Sequence, residues 1–569
     1  MFFNTFNWRL KPCAPNYSTN DTSGAEGGHK LKDAMATPEL GSTASSLPAE
    51  ILGKIFHDML DSFDSAEKHL YSADNAQALL KISRVSSYFR EVVISDPSLW
   101  AKAPYINGIH EDFLPIILSR SEHCTLELSF MEDESLAKNP QLRSQITSHF
   151  KRVSRLQVEL AVAYEGSVLQ SLLSTSAQSL IECTILLLGD RNVPLEFFNG
   201  RVLGPFDNHA PILRSLNLVN CYLPPMHYSS FPSLSDISIQ YIGDQLLQDA
   251  LPFMPAGDLF RWPAGFKYLR TLTLFNCIER PAFVALGASQ VPVALPSLRC
   301  FILETSTEGC QHFAHALQLP TSCSRSITII FPQERQGLED AYSAAHAASL
   351  FIPLDVRYKQ CSVGTPSDPP YFRLIADRMV ATLRFKLSQV HLDELPEPVH
   401  LLIRMLCFPQ TSSLTAKHIF LYQIWTAITS ALTKPLSTIP ILNLWFGKDS
   451  LAPCLLLELI QAMSRMEEVV FRTNDLLAHP SIQACLDRDN APTLNKLEIP
   501  LDNESENLKV KATLTEFLHH RREVKGVTFR VRDSTLAGLG YAAPDAIRNM
   551  IRNISEDFPN FVFVTWIRY

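Results

Sequence analysis

Leu213-Arg214-Ser215-Leu216-Asn217-Leu218-Val219-Asn220-Cys221 is the stretch whose reading decides the fold. Its apolar residues stand at the first, fourth and sixth places, and asparagine and cysteine close it. Alternation of Leu216 and Leu218 with polar neighbours marks a short strand with one buried face. The order returns six more times: Val153, Leu156 and Val158; Leu234, Ile237 and Ile239; Leu269, Leu272 and Leu274; Leu298, Phe301 and Leu303; Met466, Val469 and Phe471; Leu494, Leu497 and Ile499. The copy from Leu269 also closes on asparagine and cysteine, Asn276 and Cys277. At such a bend these side chains can satisfy backbone groups inside the turn. One unit cannot bury its own apolar edge, so neighbours must stack.

The spacing is irregular. Leu213 to Leu234 is 21 residues, Leu234 to Leu269 is 35 and Leu269 to Leu298 is 29. The second implies an insertion, with Pro252, Pro255, Gly257 and Pro263 supplying loop chemistry. The pattern resembles the leucine-rich-repeat strand signature. That resemblance implies an α/β fold, an irregular solenoid of short parallel strands alternating with helices over residues 106–569. Target-reading residues would then stand at outward strand positions: Asn217, Gln240, Thr273 and Phe275. Phe275 reads as an exposed aromatic anchor. Helices are expected at Gly337–Phe351, Val399–Phe408, Ala416–Leu432 and Cys454–Met463. Cys361–Tyr371, with Gly364, Pro366, Pro369 and Pro370, reads as a loop at a sub-boundary near 355–375. Val527–Val531 and Phe561–Ile567 read as the last strands, the second capping the array or pairing with its end.

Upstream, Leu47-Pro48-Ala49-Glu50-Ile51-Leu52-Gly53-Lys54-Ile55-Phe56 opens a helix. Pro48 suits a first helical position, and Glu50 lies where the helix dipole favours a carboxylate. Ile51, Leu52, Ile55, Phe56, Met59 and Leu60 form one apolar stripe. Leu79, Leu80, Ile82, Val85, Phe89, Val92 and Val93 form a second. Asp96-Pro97 then turns the chain toward Leu99 and Trp100.

Leu47, Pro48, Glu50, Ile51, Leu52, Ile55 and Phe56, followed by Ile82, Val85, Phe89, Arg90, Val93, Pro97, Leu99 and Trp100, resemble an F-box over residues 46–105. This motif docks a substrate receptor onto the adaptor subunit of an SCF-type cullin–RING ubiquitin ligase. Ser86 stands where the family often has cysteine, and Asp61–Gln77 is longer than the usual spacer. The resemblance implies helix-in-groove docking through Leu47, Pro48, Ile51, Leu52, Ile55, Val85, Leu99 and Trp100. These eight divide between the motif's own core and the adaptor, and the sequence does not assign each to a side. The implied partners are the adaptor, through it a cullin, and a target protein. A repeat scaffold with no ligase role is the alternative.

Composition narrows the classes. The chain has 569 residues, 46% of them hydrophobic and 19% charged, and a net charge of −8. It lacks the basic excess of a dedicated nucleic-acid binder. Twelve cysteines are scattered with no C-x-x-C pair, so no zinc-ribbon or thioredoxin-like signature exists. No secretory signal and no membrane-length apolar run is read, and the expected location is cytoplasmic or nuclear, or both. Residues 1–45, rich in small polar residues and glycine, are expected to be a disordered tail. No phosphate-binding loop, dinucleotide fingerprint, metalloprotease motif or nucleophile elbow occurs. A non-catalytic protein with no metal and no cofactor is therefore expected. His519-His520-Arg521-Arg522 reads as a solvated helix end.

Overall fold

The computed structural model describes residues 47–63, 74–102, 106–110, 112–132, 136, 139–160, 168–187, 205–221, 231–241, 265–276, 292–331, 338–364, 371–376, 379–387, 416–445, 452–471, 480–501, 504–521, 524–531, 549, 552–554, 556–558 and 562–567. The expected tail, the helix at Val399–Phe408, Cys277 and the loop prolines between Pro252 and Pro263 lie outside them.

The chain begins with α1 (Ala49–Phe63), α2 (Asp74–Ser83), α3 (Ser87–Ser95), α4 (Pro97–Ala101) and α5 (Leu114–Arg120). The second apolar stripe is therefore two helices. The break at Arg84-Val85 follows from Ser86, whose hydroxyl accepts from the Phe89 backbone N–H and starts α3 afresh. Asp96 caps α4 in the same way, with Pro97 at its first position.

Strands follow: β1 (Leu126–Glu132), β2 (Val153–Leu160), β3 (Glu182–Leu187), β4 (Ser215–Val219), β5 (Asp236–Gln240), β6 (Thr271–Phe275), β7 (Val293–Ala294), β8 (Cys300–Thr305), β9 (Leu317–Gln318), β10 (Ser324–Phe331), β11 (Gln360–Gly364), β12 (Tyr371–Ile375), β13 (Val380–Leu387), β14 (Ile441–Trp445), β15 (Glu468–Phe471), β16 (Lys496–Leu501), β17 (Gly526–Val531) and β18 (Val562–Ile567). Among the described residues, β7 and β9 pair by themselves and the other sixteen form one sheet. Its order is β1-β2-β3-β4-β5-β6-β8-β10-β13-β12-β11-β14-β15-β16-β17-β18. The protein is thus a mixed α/β structure with one large, mostly parallel sheet. Helices stand between strands where expected, at Leu338–Ser349, Ala416–Ala431 and Ala452–Ala462. The strand at Val562–Ile567 pairs parallel with β17.

All seven copies of the apolar pattern are buried in this sheet. Three more copies lie beside them: Leu180, Cys183 and Ile185; Ile439, Leu442 and Leu444; Val524, Val527 and Phe529. A tight turn enters many strands. The backbone N–H of Leu213, Leu234, Leu269, Leu298 and Leu494 reaches back to the carbonyl of Ala210, Phe231, Phe266, Leu295 and Ala491, at 3.1–3.2 Å. Proline at the second place fixes the turn in four of these five. Its third residue often stitches to the neighbouring unit: the Ser233 hydroxyl donates to Pro211 O and Ser297 to Lys267 O, each at 2.7 Å. Asn220 and Asn276 close their strands with φ of 54°. Asn220 Nδ2 donates to Leu187 O at 2.9 Å, and the Cys221 thiol is buried near Ile185 O.

Cys361–Tyr371 departs from expectation. Gln360–Gly364 and Tyr371–Ile375 are not loop but paired strands, and β12 runs antiparallel to both β11 and β13. Gly364 and the three prolines concentrate turn chemistry in the middle, and the alternating residues on either side pair. The chain skips two places after β10, steps back through β12 to β13, then crosses to β14 beside β11. A reversed strand therefore sits inside an otherwise parallel sheet. The outer edge of β1 is also managed: Asn107 Oδ1 accepts from Met131 N and Nδ2 donates to Met131 O, both at 2.6 Å.

Arg521 corrects the reading of a solvated helix end. His519 and His520 are exposed, but the Arg521 guanidinium is buried. It donates to the carbonyls of Leu486, Ala491 and Leu494, the turn that enters β16. Arg325 does the same for Phe351, Leu319 and Pro320. Replacing Arg521 with alanine leaves those carbonyls dry and unpaired. We expect Arg521→Ala to lower stability by about 2–4 kcal/mol, seen as a lower midpoint in urea denaturation.

Candidate functional site

Helices α1–α4 bury a small core of their own. Leu52, Phe56 and Leu60 come from α1, Leu79 and Ile82 from α2, Val92 and Val93 from α3, Leu99 and Trp100 from α4. Trp100 is the centrepiece. Its indole N–H donates to Val93 O at 2.7 Å, Phe113 packs edge-on at 6.3 Å, and the Arg120 guanidinium lies 4.5 Å over the ring. Ile117 of α5 completes this core, while Leu114 and Leu118 of the same helix join the core of the sheet.

The eight residues assigned to adaptor docking therefore split. Leu52, Leu99 and Trp100 are corrected: they are sealed in this core and have no surface left for a partner. Leu47 is half-buried, its carbonyl accepting from the Tyr88 hydroxyl at 2.8 Å. Pro48 is exposed, as are Ile51 at 47%, Ile55 at 45% and Val85 at 68%. Ile51 and Ile55 share one face of α1, and Pro48 immediately precedes the helix. The Tyr88–Leu47 bond ties the start of α3 to the start of α1. These apolar side chains stay exposed on a module whose core is already filled.

His57, Asp96 and Ser98 meet nearby. His57 Nε2 is 2.9 Å from Ser98 Oγ and 3.5 Å from Asp96 Oδ2, and Ser98 donates to Asp96 Oδ1. A nucleophile triad needs an acid at the far imidazole nitrogen. His57 Nδ1 has no partner among the described residues. The cluster serves instead to tie α1 to the cap of α4.

The four proposed target-reading residues fall on two neighbouring rows of the sheet. Asn217, Ser238 and Thr273 are direct partners across β4, β5 and β6, and Gln240 partners Phe275 in the next row. Asn217 and Gln240 are half-buried, and Gln240 Nε2 donates to Ser238 Oγ. Thr273, at 9% exposed, is largely closed off by its neighbours, and Phe275 is half-buried rather than exposed. Sequence reading missed the extent of the first row, which also takes in Ser129, Gln157 and Thr184. Their signal is the polar residue between the last two apolar ones of each copy.

Glu159 continues the row of Gln240 and Phe275 through Leu186 and Val219. It is buried, and its carboxylate has no well-formed hydrogen bond among the described residues, with only the Gln157 side chain close by. Burial pushes its pKa from 4.5 up to about 7, with the Gln157 side chain pulling it partly back. Burial acts on four thiols in the same direction, raising Cys183, Cys310 and Cys361 strongly and Cys221 to about 12. Among the described residues no three His, Cys, Asp or Glu side chains gather as a metal site, and no helix is long and apolar enough to cross a membrane.

Compared with known proteins, the chain matches no protein-family model and no curated protein sequence.

Two outcomes follow from this geometry. Trp100→Ala should cost about 3–5 kcal/mol, whereas Val85→Ser should stay within about 0.5 kcal/mol, both read by urea denaturation. For Glu159, the folded state holds a proton that the unfolded state releases near pH 4.5, so stability falls as pH rises from 4.5 to about 7 and then levels. Glu159→Gln should flatten that fall in denaturation midpoints measured from pH 5 to pH 8.

Proposed function

We propose that this chain is a substrate-recognition subunit of an SCF-type cullin–RING ubiquitin ligase, with α1–α4 as an F-box module and the sheet as a divergent leucine-rich-repeat solenoid. The observation that carries the reading is that Pro48, Ile51, Ile55 and Val85 are exposed on a module with a complete core. Free solvation of such side chains wastes roughly 1.5–3 kcal/mol apiece relative to burial. A grooved helical partner would recover it.

The role is non-catalytic. Holding ligase and target on one chain raises the effective concentration of the reacting groups. Helix α5 supports that role, because Ile117 packs in the core of the module while Leu114 and Leu118 pack in the core of the sheet. The target would be read on the outward rows that carry Asn217, Gln240 and Phe275.

The test is co-purification with the SCF adaptor. Ile51→Glu combined with Val85→Glu should weaken capture about tenfold or more while leaving circular dichroism and the urea midpoint in place. Capture that is absent in the unmodified chain, or unchanged by the pair, removes the ligase role and leaves a scaffold.

A further inference from the structure

The strand-entry edge of β4, β5, β6 and β8 carries a second surface. The residues just before these strands are Arg214, Ser235, Arg270 and Arg299, and a backbone chain holds them side by side. Ser235 and Asp236 N–H donate to Arg214 O, Arg270 and Thr271 to Ser235 O, and Arg299 and Cys300 to Arg270 O, at 2.7–3.0 Å. With strands about 4.8 Å apart, three arginines span about 15 Å of edge. All three side chains are exposed and make no ion pair among the described residues. Asp236, on the strand between, is occupied by the Ser235 hydroxyl at 2.5 Å.

The turn residues along this edge alternate. Ser233 and Ser297 bond back to the preceding unit. The equivalent places in the other two turns hold Ile212 and Tyr268, which are 42% and 63% exposed. Two turns thus carry a large apolar group facing water in place of the stitch, each two residues before an arginine.

We propose that this edge docks an extended, carboxylate-rich segment of a partner protein, with acidic side chains on Arg214, Arg270 and Arg299 and an apolar side chain on Tyr268. Charge complementarity selects the occupant. Side chains on one face of an extended segment recur every 6.6–6.8 Å or so, which guanidinium arms set about 5–10 Å apart can follow. A nucleic acid fits poorly. Three arginines over about 15 Å can neutralise only a few phosphates, too few to hold a long polyphosphate against a net charge of −8, whereas a short segment needs only a few carboxylates. The surface is separate from the patch on α1, so the inference stands or falls independently of the ligase reading.

The experiment is fluorescence anisotropy on the full chain with a short labelled peptide of alternating glutamate and leucine, beside its glutamine counterpart and a phosphoserine counterpart. The glutamate peptide should bind in a salt-sensitive way, with the glutamine peptide about tenfold weaker. Arg270→Ala with Arg299→Ala should weaken it about tenfold, and Tyr268→Ala severalfold with the salt dependence retained. Arg155→Ala, an arginine already paired with Glu182, should leave binding unchanged. Circular dichroism checks that each variant folds. Equal binding of the glutamate and glutamine peptides, or undiminished binding by the double arginine variant, overturns the proposal. Binding of the phosphoserine peptide alone overturns the carboxylate assignment.

Discussion

Parallel backbone pairing in fixed register is the constraint on which this molecule depends. At many strand entries two consecutive N–H groups converge on one carbonyl at the entry of the strand before: Glu467 and Glu468 on Pro440, Asn495 and Lys496 on Glu467, Lys525 and Gly526 on Asn495. Once that anchor is set, side-chain alternation is no longer free, and a slip of one residue would put every leucine on the wrong face. The buried arginines serve the same end. A turn that must lie against the next unit carries carbonyls away from water, and Arg325 and Arg521 supply donors there.

Much of this was legible in the order of residue types. The apolar triplets located strands because burial of alternate residues leaves a direct trace in sequence. Three copies escaped notice, and their failing was chemical disguise. Cys183 stands for leucine in one, and Pro440 and Gly526 interrupt the other two. The turn ahead of many strands, with proline second and serine or threonine third, was an equally good marker that periodicity alone does not weigh. The reversed hairpin was harder. Prolines between two strands look the same whether the strands pair with each other or with neighbours, since only tertiary contact decides direction.

The functional surfaces were less legible. Periodicity says that Ile51, Leu52 and Ile55 are apolar, but not that Leu52 turns inward while its neighbours face water. That choice depends on where α2 and α3 pack, which is long-range information. Arg521 shows the converse. A run of two histidines and two arginines suggests solvent, yet a guanidinium can be fully sheltered when three carbonyls surround it.

Asn107 has a further consequence. A parallel sheet of this breadth would, at its first strand, offer bare amide and carbonyl groups to any passing extended chain. The Asn107 carboxamide occupies that position at Met131 with the same donor–acceptor pair a strand would bring. One side chain thereby stands in for a neighbouring strand at one rung of the ladder's amino-terminal margin.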